Sequence, residues 1–266
     1  MTSAPKSVPK KKMTAQQRDR LMVIVSPLVV LIVWEICSRT NIVDRRILAP
    51  PTVIAATIVQ LIQSGVLLPQ AGTTLARFFV GFFVGLIPGT LIGLAMGVSP
   101  WTRSIVQPLV AAFYPLPRIA LFPIILILVG LNETSNVILI SLGPFFTMII
   151  TTMAAVLNVE PIYKEVAKSF GARPRDLYFD VMFPAALPVI MGGVKLSVGL
   201  ALLNTVAVEF LVADNGIGHL IWNSWTTLSI SQSVAGLVTA GIIGSTLYTI
   251  ASAIEKRVIP WVPEQR

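Results

Sequence analysis

The sequence has 266 residues, of which 55% are hydrophobic and only 12% charged, and its mean hydropathy is +0.81. Soluble domains carry about 25% Asp, Glu, Lys and Arg, so roughly half the charge that keeps a globular surface wet is present. That excludes a soluble enzyme and predicts an all-α integral membrane protein. The net charge of +8 arises from 20 Lys and Arg against 12 Asp and Glu. It sits in short clusters between apolar runs, as cytoplasmic loops require, and does not form a nucleic-acid surface.

Residues 1–20 form a polar tail carrying Lys6, Lys10, Lys11 and Lys12, expected to be disordered, which leads into apolar Leu21 to Trp34. No small-residue cleavage site follows, so Leu21 to Cys37 reads as an uncleaved first span with Glu35 reaching the headgroups. Cys37 is the single cysteine and has no partner for a disulfide or metal site. After Pro50 and Pro51, residues 52–63 read as a short external helix capped by Thr52, lying flat at the outer interface.

Phe78 to Val98, Val137 to Val159 and Val234 to Ile254 hold 21, 23 and 21 residues without a charge. A hydrocarbon layer about 30 Å thick needs about 20 helical residues, so each is a span. Ile105 to Leu131 is apolar but carries Pro108, Pro115, Pro117, Arg118 and Pro123. An Arg at mid-membrane costs about 2.5–3.5 kcal/mol. The segment is therefore expected to place Arg118 near an interface and to cross from about Arg118 to Leu131, after an interfacial or kinked stretch. Val189 to Val208 completes six spans, with Lys195 snorkelling from near its start. With the N-terminus inside, cytoplasmic segments hold 14 of the 20 Lys and Arg, and outer segments hold four, Arg39, Arg45, Arg46 and Arg77. The positive-inside rule then puts both termini, including the tail 256–266, and the loop 160–188 in the cytoplasm.

Gly81, Gly85, Gly89, Gly93 and Gly97 recur every fourth residue and form one ridge of a helix. Each costs about 1 kcal/mol relative to alanine in an exposed helix, so the ridge predicts close approach by another backbone, either a sliding contact or static packing.

The loop 160–188 carries the most information. Pro161 suits the first turn of a helix, Glu165 lies near its positive end, and Gly171 takes the left-handed conformation that stops it. Pro174 and Asp176 start a second helix, which Pro184 is expected to terminate. Val166, Ala167 and Phe170 share a face of the first helix, while Leu177 and Val181 supply apolar positions on the second. Such a helix-turn-helix is suited to dock on a soluble or peripheral partner.

In these residues the sequence resembles the membrane permease subunits of binding-protein-dependent ATP-binding-cassette importers. Their EAA loop reads Glu-Ala-Ala, three residues, Gly, nine residues, an aliphatic, one residue, an aliphatic and Pro. Here Glu165, Val166 and Ala167 are followed by three residues to Gly171, then nine to Val181, then Phe183 and Pro184. Val166 and Phe183 depart from the usual alanine and leucine. The likeness runs over most of residues 21–255. ILAPPTV (47 to 53), TTLARFFVGFFVG (73 to 85), PLPRIALFPIILILVGL (115 to 131) and EFLVADNGIGHLIWNS (209 to 224) resemble the branch importing nitrate, sulfonates, taurine or bicarbonate.

The resemblance implies a type I importer permease domain over 21–255 in a bacterial inner membrane, without ATP hydrolysis of its own. It implies two copies of an ATPase subunit that hold ATP and Mg, a second permease copy, and a periplasmic or lipid-anchored solute-binding protein. Glu165, Val166, Ala167, Phe170, Gly171, Val181, Phe183 and Pro184 would dock the ATPase. The chain itself lacks a GxxxxGK[ST] loop, so no cofactor is expected on it.

Thr147, Thr151, Asn204 and Thr205 are candidates to line a polar path for a small anion; threonine also bonds its own backbone. Glu209 closes the fifth span and either borders that path or binds a backbone donor. Lone His219 is not expected to bind metal. The competing class is a stand-alone ion-driven carrier, disfavoured by the scarcity of mid-membrane ionisable residues.

Overall fold

The computed structural model describes residues 15–40 and 49–261. Most of the expected basic tail, the outer charges Arg45 and Arg46, and the last five residues lie outside the described residues. Among those described there are helices and no strands: α1 Ala15–Arg39, α2 Pro51–Gln63, α3 Leu67–Val98, α4 Pro100–Phe113, α5 Phe122–Val129, α6 Glu133–Leu157, α7 Pro161–Ser169, α8 Pro174–Asp176, α9 Phe183–Leu211, α10 Ile217–Thr226 and α11 Ile230–Val258. A 3-10 turn, Arg118–Leu121, precedes α5, and a π turn, Leu177–Met182, joins α8 to α9. α3, α6, the continuous run Pro174–Leu211 and α11 are each long and apolar enough to cross a membrane. The apolar run from Leu21 to Cys37 lies within α1, whose Leu28, Val29, Val30, Ile32 and Val33 face outward.

The glycine ridge sets the centre of the bundle. A methyl group on Gly85 would strike the Ser141 carbonyl, and one on Gly97 would lie 2.6 Å from Val156 Cβ. Gly81 meets Ile140, Gly89 meets Phe145 and Met148, and Gly93 meets Ile149 and Thr152. Both residue numbers rise together, so α3 and α6 run parallel, backbone against backbone. The outward side chains of α3, among them Phe79, Val80, Phe83, Val84 and Leu91, stay exposed. An apolar face turned outward is the pattern that lipid or a second apolar chain satisfies.

Parallel neighbours require the chain to come back between them. α4 and the segment Arg118–Val129 do this as a broken pair bent by 91°. The crossing expected from Arg118 to Leu131 is therefore shared with α4. Twelve helical residues reach only about 18 Å, and Pro115 and Pro117, lacking N–H groups, break the ladder before them.

α9 returns antiparallel to α6: Gly193 packs on Thr151 and Gly143 on Asn204. α11 lies against α9, where Lys195 Nζ pairs with Glu255 at 2.5 Å instead of snorkelling alone. α2 is capped differently from the sequence expectation. Its N-cap is Pro50, and Thr52 bonds Glu35 through its N–H at 3.1 Å and its hydroxyl at 2.8 Å. Glu35 thus serves the positive end of α2. Ile54 and Leu61 bury that helix against α10 and α11 through Ile217, Leu220, Ile221 and Ala235.

Candidate functional site

Two groups of residues at opposite ends of the bundle carry chemistry. The first is the elbow at the C-terminal ends of α3 and α6. Pro161 opens α7. Gly171, at φ +78°, closes it, with Gly171 N–H donating to Lys168 O at 2.9 Å and Ala172 N–H to Ala167 O at 3.0 Å. This paired bond pattern satisfies carbonyls the helix end would otherwise leave open. Pro174 then starts α8, and the Asp176 carboxylate accepts from Arg173 N–H at 3.2 Å.

Pro184 does not terminate the second helix. It stands in the first turn of α9, and the chain passes it by widening into the π turn. A proline cannot donate and crowds the carbonyl four residues back; here Phe183 N–H reaches Tyr178 O instead. The expected apolar face of α7 also divides. Ala167 is buried, whereas Val166 is 46% and Phe170 88% exposed. Glu165 is exposed, Val181 half-buried, and Phe179 and Phe183 exposed. Gly171 has open space around it. Next to the π turn, Leu94, Val98, Val156, Met182 and Phe183 border an apolar cavity of about 290 Å³. The elbow is held in shape by its own backbone and presents aromatic side chains outward.

The second group lies at the N-terminal ends of α3 and α6. Arg77 is 6% exposed and Glu209 fully buried, 3.1 Å apart. Arg77 also grips Glu133 with Nε at 2.9 Å and Nη2 at 2.5 Å, the two-pronged geometry a guanidinium favours. Its Nη1 and Nη2 donate to the Asn215 carbonyl and side-chain oxygens at 2.7 and 2.6 Å. Glu209 accepts from the Thr74 hydroxyl at 2.8 Å and from Gly218 N–H at 3.0 Å. Thr74 Oγ1 accepts from Ile217 N–H at 2.8 Å. The carboxylate thus sits at the N-terminus of α10, where helix amides and dipole favour an anion. Gly218 has no Cβ because one would strike the Val206 carbonyl. Arg77, counted in the sequence as an outer charge, is an internal tie among α3, α6 and α9. The readable signal was a Thr and an Arg one turn apart at the head of an apolar span, with a carboxylate closing another.

Of the path candidates, Thr151 donates to Thr147 O at 2.7 Å and Thr205 to Ala201 O at 2.8 Å. Thr147 is buried and Thr205 has no exposed surface. Glu209 takes up the backbone donor of Gly218. Asn204 differs: its Nδ2 is buried without a hydrogen-bond partner among the described residues.

The family model for binding-protein-dependent transport system inner membrane components matches residues 81–263, more than half of the chain. The chain belongs to that family. This permease is 29% identical over 237 residues to the putative aliphatic sulfonates transport permease SsuC of Escherichia coli, covering 89% of this chain and 90% of that one. It is 27% identical over 191 residues to the nitrate import permease NrtB of Synechocystis, covering 72% and 70%. Its fold resembles an inward-facing structure of the MetNI methionine transporter, with a TM-score of 0.59 at 20% identity, covering 70% of this permease and 92% of that chain. The architecture is accordingly that of a type I importer permease, and the protein is a multi-pass membrane subunit of an ATP-binding-cassette importer.

Proposed function

We propose that this permease moves a small anionic solute of the sulfonate or nitrate type, driven by ATP hydrolysed on a separate subunit. The observation that carries the reading is the elbow. Glu165 to Pro184 keep the EAA spacing on a turn whose Val166, Phe170 and Phe179 stay exposed among the described residues. Exposed aromatic groups around a stiff loop are suited to seat in a groove and to pass a stroke into α6 and α9. Two ATPase subunits holding ATP and Mg, a second permease copy and a solute-binding protein complete the assembly. The elbow and both termini face the cytoplasm, as the distribution of Lys and Arg favours. The substrate class is supported by the relatives named above. The path runs along the α6–α9 seam, where Asn204 offers an amide with no partner among the described residues.

The test is coexpression with a candidate ATPase subunit, capture of the complex, and uptake into liposomes of nitrate or methanesulfonate presented by a solute-binding protein. Uptake should require ATP and vanish in Gly171→Leu, with membrane insertion retained. Uptake by the chain alone without ATP, or unimpaired uptake by that variant, would overturn the reading.

A further inference from the structure

We propose that Arg118 and Asn204 form an anion-binding constriction that grips one oxygen of an oxyanion head. The inference deepens the importer reading, since it gives that path a specific site.

Arg118 Nε and Asn204 Nδ2 are both buried nitrogen donors with no hydrogen-bond partner among the described residues. Both side chains border one cavity, whose other walls include Phe122, Leu139, Val208 and Leu211. Buried donors are nearly always paired, because an unpaired one forfeits its bond to water. Two residues with such donors on one cavity mark a place suited to an acceptor.

The seat is built. Asn204 is 7% exposed, and its amide lies against Gly143, where a Cβ would stand only 2.7 Å from Nδ2. Arg118 is delivered from the other side by the break between α4 and α5, a place where irregular backbone is tolerated only against protein or a polar cavity. Among the described residues no carboxylate borders the cavity. Glu209, one residue beyond Val208, is not in its lining and pairs with Arg77. A guanidinium and an amide donor between apolar walls select an anion over a cation, and the low dielectric strengthens the attraction. The cavity measures about 10 Å³, enough for a single water-sized group, so it admits one oxygen while the rest of the anion stays outside.

The experiment is isothermal titration of the purified full chain in nanodiscs with nitrate and with methanesulfonate, at fixed ionic strength, against gluconate as a bulky control. Wild type should bind both small anions. Arg118→Gln and the isosteric Asn204→Asp should weaken binding about tenfold or more, the loss expected for a charged or reversed hydrogen bond. Arg103→Gln, on α4, should bind as wild type does. Thermal melts establish that each variant is folded, and Arg118→Lys, which keeps the charge but loses the planar fork, should fall between. Wild type binding neither anion, or both variants binding like wild type, overturns the site. In the reconstituted complex, Arg118→Gln should raise the KM for nitrate uptake, and an unchanged KM likewise counts against the site. Positive titration with no ATP-driven uptake of any anion by the wild-type complex would instead sink the importer reading and leave the site standing.

Discussion

The two ends of the bundle are built on opposite rules. Where α3 and α6 begin, Arg77, Thr74, Glu133, Glu209 and the Gly218 amide answer one another. Where α3 and α6 end, the elbow leaves Phe170 88% exposed and Phe179 67% exposed. One end is closed by its own hydrogen bonds, and the other turns aromatic side chains outward. The proposed coupling needs both, a fixed end and a handle, and α6, about 37 Å long over its 25 residues, connects them.

The contrast should break most violently at the closed end. Arg77→Ala strands the Glu209 carboxylate in the interior, and losing one partner of a buried pair costs about 3–5 kcal/mol. Thermal melting in detergent should show a large drop or loss of a cooperative transition; an unchanged melt would mean the cluster is not a lock. Gly85→Leu follows, because its Cβ would meet the Ser141 carbonyl and the Phe145 amide, backbone that cannot swing aside. Overpacking of this kind costs about 1–3 kcal/mol, whereas Gly199→Ala, with nothing within 4 Å, should melt like wild type. Equal melts for the two variants would show that α3 and α6 are not in tight register.

At the elbow the effects on folding shrink while those on coupling grow. Gly171→Val forces a branched side chain to φ +78°, a strain of about 1–3 kcal/mol that should lower the melt modestly and abolish ATP-dependent uptake. Phe170→Ala should change stability by no more than about 0.5 kcal/mol, as surface substitutions do, yet reduce ATPase capture on affinity resin. A Phe170→Ala chain that captured the ATPase in full would show that the handle lies elsewhere.

Much of the elbow was legible in the chain because its signals are local. Pro161 and Pro174 preset φ and need no N–H, and Gly171 alone tolerates its left-handed backbone. Pro184 misled for a related reason. A proline reads as a stop, but a π turn can absorb the missing donor, and no sequence pattern announces that widening. The Glu35–Thr52 contact and the Lys195–Glu255 pair were hidden because Glu35 and Lys195 each read as a lone charge reaching for the headgroups.

Hydropathy and periodicity by themselves determined that the chain is helical and membrane-bound, where its long apolar runs fall, and that five glycines ask for a close neighbour. These follow from the energy of apolar surface and from 3.6 residues per turn, which each segment expresses alone. Which neighbour the ridge meets was decided only by tertiary structure. So were the parallel course of α3 and α6, which turns the broken α4–α5 pair into a crossing, and the pairing of Arg77 with Glu209 across 132 residues. Charges in a low-dielectric interior are stable only with partners, and partners far apart in sequence meet only when the whole bundle has closed.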